Sequence, residues 1–123
     1  MTDDERILRT LAEYCQFLDS RRFDEWVALF TEDGTWDRHV GREAIRNSIL
    51  GGQLAKQPEL HRKHMGMNAA VTVSGDEARA SSDYVMFDAM GNGPWAVAGW
   101  GRYQDRLVRR GERWLFAERK FVR

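Results

Sequence analysis

Three histidines, His39, His61 and His64, are the side chains of this sequence best suited to move protons at neutral pH. An imidazole, with an ordinary pKa near ~6.5, can take an acidic proton next to a carbonyl and return it to a departing hydroxyl. On a strand, His64 would share one face with Gly66 and Asn68, whose small or polar side chains suit a cavity wall. His39 lies in a turn-like stretch and His61 in a charged loop, which favours solvated positions. His64 is therefore the candidate acid-base, the alternative being a structural histidine.

The elements that would position these groups begin with helices. Thr2 followed three residues later by Glu5 forms a capping box, and apolar residues then recur at helical spacing. A glycine turn at residues 32–34 ends a second short apolar segment, and Gly51, Gly52 and Pro58 end a third. Three helices are predicted, over about residues 3–18, 24–30 and 44–50, with a short strand at 36–40 before the last of them.

From His64 onward the apolar period changes to two, which predicts strands. Compact turns at residues 74–76 and 110–112 and a glycine-rich loop at 90–94 separate them. The predicted strands are antiparallel and cover about residues 63–73, 77–89, 95–109 and 113–122. Helices followed by a meander form an α+β layout, with the helices packed on one face of a curved, mostly antiparallel sheet in a single domain, residues 1–123.

The first long strand has a second, apolar face. A regular two-residue period places Met65, Met67, Val71 and Val73 opposite His64. This apolar face would be stranded in water on a monomer, so we interpret it as a subunit interface and the His64 face as a cavity wall. A homodimer or homotrimer is therefore expected.

Composition excludes several classes of protein. The chain has 123 residues with 19 basic and 19 acidic side chains, so its formal net charge is zero and a nucleic-acid or membrane-surface partner is not expected. No apolar run approaches the ~20 residues of a membrane span, and the acidic N-terminus does not resemble a signal peptide, which leaves a cytoplasmic location as the expectation. The single cysteine, Cys15, reads as a small buried side chain. No motif suggests a metal, a nucleotide or a flavin, so no cofactor is expected.

Several runs of residues, taken in order, resemble a known family. They are residues 14–19 (YCQFLD), 26–34 (WVALFTEDG), 41–45 (GREAI), His64-x-x-x-Asn68, 73–78 and 114–119. Together they resemble the SnoaL-like families of the nuclear-transport-factor-like superfamily, in the branch of scytalone dehydratase and bile-acid dehydratase. The resemblance spans nearly the whole chain and implies a cone-shaped α+β barrel with a pocket at its open end. It is less specific for the reaction, because this superfamily includes enzymes of several classes and non-catalytic binders.

The resemblance also implies catalytic residues. The dehydratase-like branch places a tyrosine and an aspartate near the end of the first helix and a histidine on the first long strand, which here are Tyr14, Asp19 and His64. Asp19 would fix the tautomer of His64, and Tyr14 would donate to an oxygen that gains charge as an enolate forms. Tyr14 also fits an ordinary core position, and Asp19 a helix cap, so both alternatives remain open at this level.

Other residues are candidates for binding the substrate. Arg119 alternates with apolar residues on the last strand, and either points into the cone or forms a surface ion pair. Asn68 either orients a substrate oxygen or bonds backbone. The candidate substrate-binding residues are Trp26, Phe30, Trp36, Asn68, Met86, Trp100 and Arg119.

The predicted function is a cofactor-independent lyase or isomerase acting on a small cyclic or polycyclic hydroxy-carbonyl compound. Two features depart from the dehydratase pattern: Trp36 stands where relatives often carry a second tyrosine, and the later strands contain no second pocket histidine. Two alternatives stay open. The pocket could belong to a non-catalytic binding or assembly subunit, or Asp37 could be the base of an isomerase without His64.

Overall fold

The computed structural model describes residues 1–122, which form helices followed by a curled six-stranded sheet. The elements in chain order are α1 Asp3–Asp19, α2 Phe23–Val27, β1 Phe30–Trp36, β2 His39–Val40, α3 Arg42–Leu50, α4 Gln53–Lys56, β3 Leu60–Ser74, β4 Glu77–Met90, β5 Ala96–Arg110 and β6 Arg113–Val122. The sheet order is β2-β1-β6-β5-β4-β3, and all neighbouring strands are antiparallel except β1 and β6. The predicted α+β class is confirmed. The sheet is an open cone rather than a closed barrel, with β2 and β3 at its edges.

Helix α1 begins at the predicted capping box and lies against the sheet. The Thr2 hydroxyl accepts from the Glu5 amide at 3.1 Å, and the Glu5 carboxylate accepts from the Thr2 amide at 3.0 Å. The buried residues of α1 follow helical spacing and are Ile7, Thr10, Tyr14 and Leu18. The Thr10 hydroxyl donates to the Trp114 carbonyl at 2.7 Å, which ties the helix to β6. The buried face of α1 therefore places Tyr14 inside the cone.

The prediction for residues 24–40 was partly wrong. Helix α2 ends at Val27, and Phe30, predicted inside it, instead begins strand β1. The parallel pairing of Phe30 with Phe116 buries both rings, which outweighs the local helical pattern. Gly34, predicted to end a helix, lies within β1, where an added Cβ would be 3.0 Å from the Phe116 carbonyl. Glycine thus allows a close approach of the two backbones at an irregularity in the strand.

Strand β3 carries a bulge that the sequence analysis did not predict. Its pairing with β4 shifts between Met67 and Ala70, and Asn68 adopts the left-handed conformation, with φ of 57°. The bulge reverses the alternation beyond it, so Val71 and Val73 pack against the core while Met65 and Met67 are exposed. The prediction that these four side chains share one face was therefore wrong.

The bulge predicts a stability difference between two substitutions of Asn68. Asn68→Val is expected to destabilise the protein by roughly 1–2 kcal/mol, because β-branched residues are disfavoured at positive φ. Asn68→Gly is expected to leave stability within about 1 kcal/mol of wild type. Urea unfolding of both variants measures this, and equal stability of the two would contradict the bulge.

Among residues 1–122, no helix is both long and apolar enough to cross a lipid bilayer.

Candidate active site

The structure brings His64 and Asp19 into direct contact, although 45 residues separate them. Asp19 is the last residue of α1, and β3 passes beside that end of the helix. The Asp19 carboxylate accepts from the His64 backbone amide, with both oxygens at 3.1 Å, and its Oδ1 lies 2.7 Å from His64 Nδ1. An ionised carboxylate is only an acceptor, so Nδ1 carries the hydrogen and Nε2 is left as the base. Asp19 thereby fixes both the orientation and the tautomer of the imidazole.

Tyr14 lies next to this pair. Its ring meets the His64 ring edge-on, with centroids 6.4 Å apart, and Trp36 Nε1 donates to its hydroxyl oxygen at 3.0 Å. Burial raises the pKa of Tyr14 to about 12, although the Arg119 guanidinium opposes this. Tyr14 is therefore a neutral phenol at physiological pH, with a hydroxyl hydrogen that it can donate.

The raised pKa of Tyr14 predicts a loss of stability at high pH. The folded pKa of about 12 lies above the unfolded value near ~10, so the contribution is fully present below pH ~10 and is lost as pH rises towards about 12. The loss attributable to Tyr14 is about 3 kcal/mol, at about 1.4 kcal/mol per pKa unit. Free energies of unfolding at pH 8, 10 and 11.5 should fall less steeply for Tyr14→Phe than for wild type. Because burial also raises the pKa of Tyr103, part of the decline should persist in the variant.

A buried ion pair lies deeper in the cone. Arg119 on β6 contacts Asp105 on β5 through two hydrogen bonds, Nε to Oδ1 at 2.8 Å and Nη2 to Oδ2 at 3.0 Å. The guanidinium lies 3.5 Å from the Tyr103 ring centroid and 4.2 Å from that of Tyr14. Burial raises the pKa of Asp105, although the Arg119 guanidinium opposes this. The pair fixes the positions of the two tyrosines that surround it.

Two cavities adjoin His64, and His64 and Tyr103 line both. The first, which we call the inner pocket, has a volume of about 320 Å³ and a largely apolar lining. It is lined by Tyr14, Leu18, Trp36, Ile49, Leu54, Arg62, His64, Tyr84, Met86, Ala98, Gly99, Tyr103 and Phe121. The second, which we call the α1–β3 cavity, has a volume of about 440 Å³ and lies between helix α1 and the edge strand β3. Asp19 and Arg119 line this second cavity.

The predicted site residues fall into three groups. Tyr14, Trp36, His64 and Met86 meet in the inner pocket, with Asp19 behind His64. Trp26 and Phe30 are fully buried behind the pocket, where the Trp26 ring packs edge-on against Trp36 with centroids 5.0 Å apart. The third group, Arg119, Asn68 and Trp100, does not line the inner pocket.

These three residues are placed away from the inner pocket. Arg119 lines the α1–β3 cavity. Asn68 lies at the edge of that cavity on the β3 bulge, where its amide donates to Asp83 at 3.0 Å. Trp100 is 67% exposed on β5. Asp37, the alternative base, is exposed in the turn between β1 and β2, away from the residues that line either cavity.

Sequence reasoning missed the aromatic residues that the later strands supply. Tyr84, Tyr103 and Phe121 line the inner pocket, and Tyr84 and Tyr103 stack with centroids 4.4 Å apart. The two-residue period of β4, β5 and β6 could have identified these three aromatic residues, since each of them occupies an inward position on its strand. These tyrosines supply hydroxyls where the sequence offered no second histidine. Within residues 1–122, no group of three or more His, Cys, Asp or Glu side chains could hold a metal ion.

Comparison with known proteins identifies the family of the chain. The profile of the SnoaL-like domain matches residues 1–120, and the chain belongs to that family, which confirms the resemblance. No curated protein sequence matches the chain.

Similar solved structures show the same fold. A protein of unknown function from Mycobacterium tuberculosis is 28% identical, with a TM-score of 0.84 over 97% of this chain and 70% of its own. A nuclear-transport-factor-like protein with a cystatin-like fold from Novosphingobium aromaticivorans is 25% identical, with a TM-score of 0.83 over 98% of this chain and 80% of its own. A scytalone dehydratase-like protein from the same organism is 24% identical, with a TM-score of 0.82 over 97% of this chain and 82% of its own.

Proposed function

We propose that the protein is a cofactor-independent lyase or isomerase that acts on a cyclic hydroxy-carbonyl compound. The observation that carries the proposal is the contact of His64 Nδ1 with Asp19 at 2.7 Å beside a neutral, buried Tyr14 in an apolar pocket. A base, a residue that orients it and an oxygen-binding donor are the parts that proton abstraction next to a carbonyl requires. Membership of the SnoaL-like family and the shared fold of the scytalone dehydratase-like protein support a reaction of this class.

The chemistry follows from the roles of these groups. His64 Nε2 takes the proton from the carbon next to the carbonyl, and the electron pair of the broken C–H bond forms an enolate. Tyr14 donates a hydrogen bond to the oxygen that gains negative charge. The imidazolium then gives its proton either to a β-hydroxyl, which leaves as water, or to another carbon, which completes an isomerisation. Asp19 stabilises the imidazolium throughout.

A substrate screen tests this function. Wild-type protein is incubated with cyclic β-hydroxy ketones and β,γ-unsaturated ketones, and formation of the conjugated enone is followed by its ultraviolet absorbance. The proposal requires turnover above the buffer rate for at least one compound that fits the inner pocket. Saturable binding without any turnover would instead support the non-catalytic binding subunit.

We also propose that the outer face of the sheet is an interface with a second or third copy of the chain. The strand register aligns Met65, Val85 and Trp100 in one row across β3, β4 and β5. Met65 is 48% and Trp100 67% exposed, so the row is an apolar patch on the surface of the protomer.

This interface predicts a change in mass. Wild type should sediment as a multiple of its 14.3 kDa protomer, and Trp100→Glu should sediment as a monomer because it places a charge in the apolar row. Glu112→Lys, on the exposed turn between β5 and β6, is the control that should keep the wild-type mass. A monomeric wild type would contradict the proposal.

A further inference from the structure

Of the residues that line the α1–β3 cavity, His64 and Asp19 take part in the proposed reaction, and the others have no assigned role in its chemistry. Apolar side chains of α1, including Leu8 and Leu11, form one wall, and Gly66 leaves space in the other. A Cβ built on Gly66 would meet only Cys15 Sγ, at 3.8 Å. The volume of about 440 Å³ is within the range of small-molecule sites.

One residue that lines this cavity, Arg119, has a buried donor atom without a hydrogen-bond partner among residues 1–122. Arg119 is 1% exposed, and its Nε and Nη2 atoms are bound to Asp105. Its third nitrogen, Nη1, is buried and has no hydrogen-bond partner among residues 1–122. A buried polar atom of this kind destabilises the protein unless an acceptor reaches it. An oxygen brought in by a ligand would provide that acceptor.

The charges around the cavity favour a neutral ligand oxygen. Asp105 already neutralises the Arg119 guanidinium through two hydrogen bonds. Lys63 and Asp19 add one charge of each sign to the lining. An anion would therefore gain no net attraction and would lose its hydration, whereas a carbonyl or hydroxyl oxygen is desolvated at lower cost.

We propose that the α1–β3 cavity is a second binding site, which takes a flat apolar group carrying a neutral carbonyl or hydroxyl oxygen, with Arg119 Nη1 as the donor to that oxygen. The group belongs either to a separate small molecule or to the far end of an extended substrate. The proposed binding site does not require His64 to be a base, and its test measures binding alone.

Methyl groups allow the two cavities to be observed separately. Leu8 and Leu11 line the α1–β3 cavity, and Met86 lines the inner pocket. Protein labelled with ¹³C at the leucine and methionine methyl groups is titrated with 2-naphthol and with 2-methylnaphthalene, which replaces the hydroxyl by a methyl group of similar size. Ring-current shifts of each methyl report which cavity the molecule enters.

Two glycines provide matched blocking variants. Gly66→Leu fills the α1–β3 cavity, and Gly99→Leu fills the inner pocket, where a Cβ on Gly99 would lie 3.6 Å from Met86 Cε. Neither glycine has a positive φ, so the strand backbone accepts a side chain at both positions. A third variant, Arg119→Met with Asp105→Leu, removes the donor together with its partner.

The expected result is that 2-naphthol shifts the methyl signals of Leu8 and Leu11 and binds there about 3- to 10-fold more tightly than 2-methylnaphthalene, the effect of one net hydrogen bond. Gly66→Leu should remove these shifts and leave those of Met86, whereas Gly99→Leu should do the reverse. The double variant should lose the preference for the hydroxyl. If the shifts of Leu11 and Met86 instead titrate together and disappear together in either glycine variant, one extended molecule occupies both cavities, whereas independent titrations identify two molecules.

Three results would overturn the proposal: no shift of Leu8 and Leu11 in wild type, equal affinity for the two naphthalenes, or shifts of these leucines that persist in Gly66→Leu. Failure of the proposed enzymatic function would show differently, as an absence of His64-dependent turnover whatever Leu8 and Leu11 report.

Discussion

Replacing His64 by alanine is expected to lower kcat/KM by about 10²- to 10⁴-fold, the usual contribution of a positioned general acid-base. His64 Nδ1 lies 2.7 Å from Asp19 Oδ1, and the imidazole lines the inner pocket. Alanine therefore removes the base and leaves the other pocket walls in place. KM should change much less than kcat, because Trp36, Tyr84 and Met86 still surround the substrate. Steady-state kinetics on the substrate found by the screen measures both parameters.

The matched control is His61→Ala. His61 is exposed on the same strand three residues earlier, so its removal should leave kcat and KM close to wild type. Equal activity of wild type and His64→Ala would show that the reaction does not use this imidazole.

Asp19 is a positioning residue, and its substitution tests the tautomer. In Asp19→Asn, the amide can donate to Nδ1, which would move the ring hydrogen to Nε2 and remove the base. We expect kcat to fall by about tenfold or more. The ¹⁵N chemical shifts of His64 should show hydrogen on Nδ1 in neutral wild type and a changed tautomer in the variant. An unchanged tautomer would mean that Asp19 contributes only to local structure.

The largest loss of stability is expected from Asp105→Asn. Both side chains of the Arg119–Asp105 pair are buried, at 2% and 0% exposure, so the substitution leaves a buried guanidinium without its counter-charge. Removing one partner of such a pair costs about 3–5 kcal/mol, which urea unfolding measures directly. Replacing both partners, Arg119→Met with Asp105→Leu, should restore most of that loss, because no isolated charge remains.

Asp83→Asn is the matched control for this prediction. Asp83 also binds an arginine, Arg102, at 2.8 Å, but this pair lies on the exposed face of the sheet. Solvent screens an exposed pair, so the free energy of unfolding should change little. Similar losses for Asp83→Asn and Asp105→Asn would show that burial does not set the strength of the inner pair.

The helices and strands could be predicted from the sequence more reliably than the pairing register of the strands. Helix α1 was predictable from the Thr2–Glu5 capping box and its apolar stripe, and strands β3 to β6 from their two-residue period. The hairpin turn pairs Arg110 with Arg113, and counting back from it would place Asp105 opposite Glu118. A register shift between Arg106 and Leu107 instead pairs Asp105 with Arg119. One extra residue in a strand leaves no clear sequence signal, although it decides which charges meet.

An extra residue in the strand also explains why the inward-facing residues of β3 were predicted wrongly. The bulge at Asn68 turns Val71 and Val73 inward, which a regular alternation excludes. The contact of Asp19 with His64 came from the family resemblance, since no local pattern relates residues 45 positions apart. The cavity behind Arg119 depends on packing between α1 and β3, which periodicity does not describe.

Abstraction by His64 of a proton next to a carbonyl can be tested by hydrogen exchange, whatever the final product of the reaction. Wild type, His64→Ala and His61→Ala are incubated with 2-tetralone in D₂O, and deuterium incorporation next to the carbonyl is followed by mass spectrometry. Exchange above the buffer rate is expected for wild type and His61→Ala, and exchange at the buffer rate for His64→Ala. Equally fast exchange in His64→Ala and wild type would show that His64 does not abstract this proton.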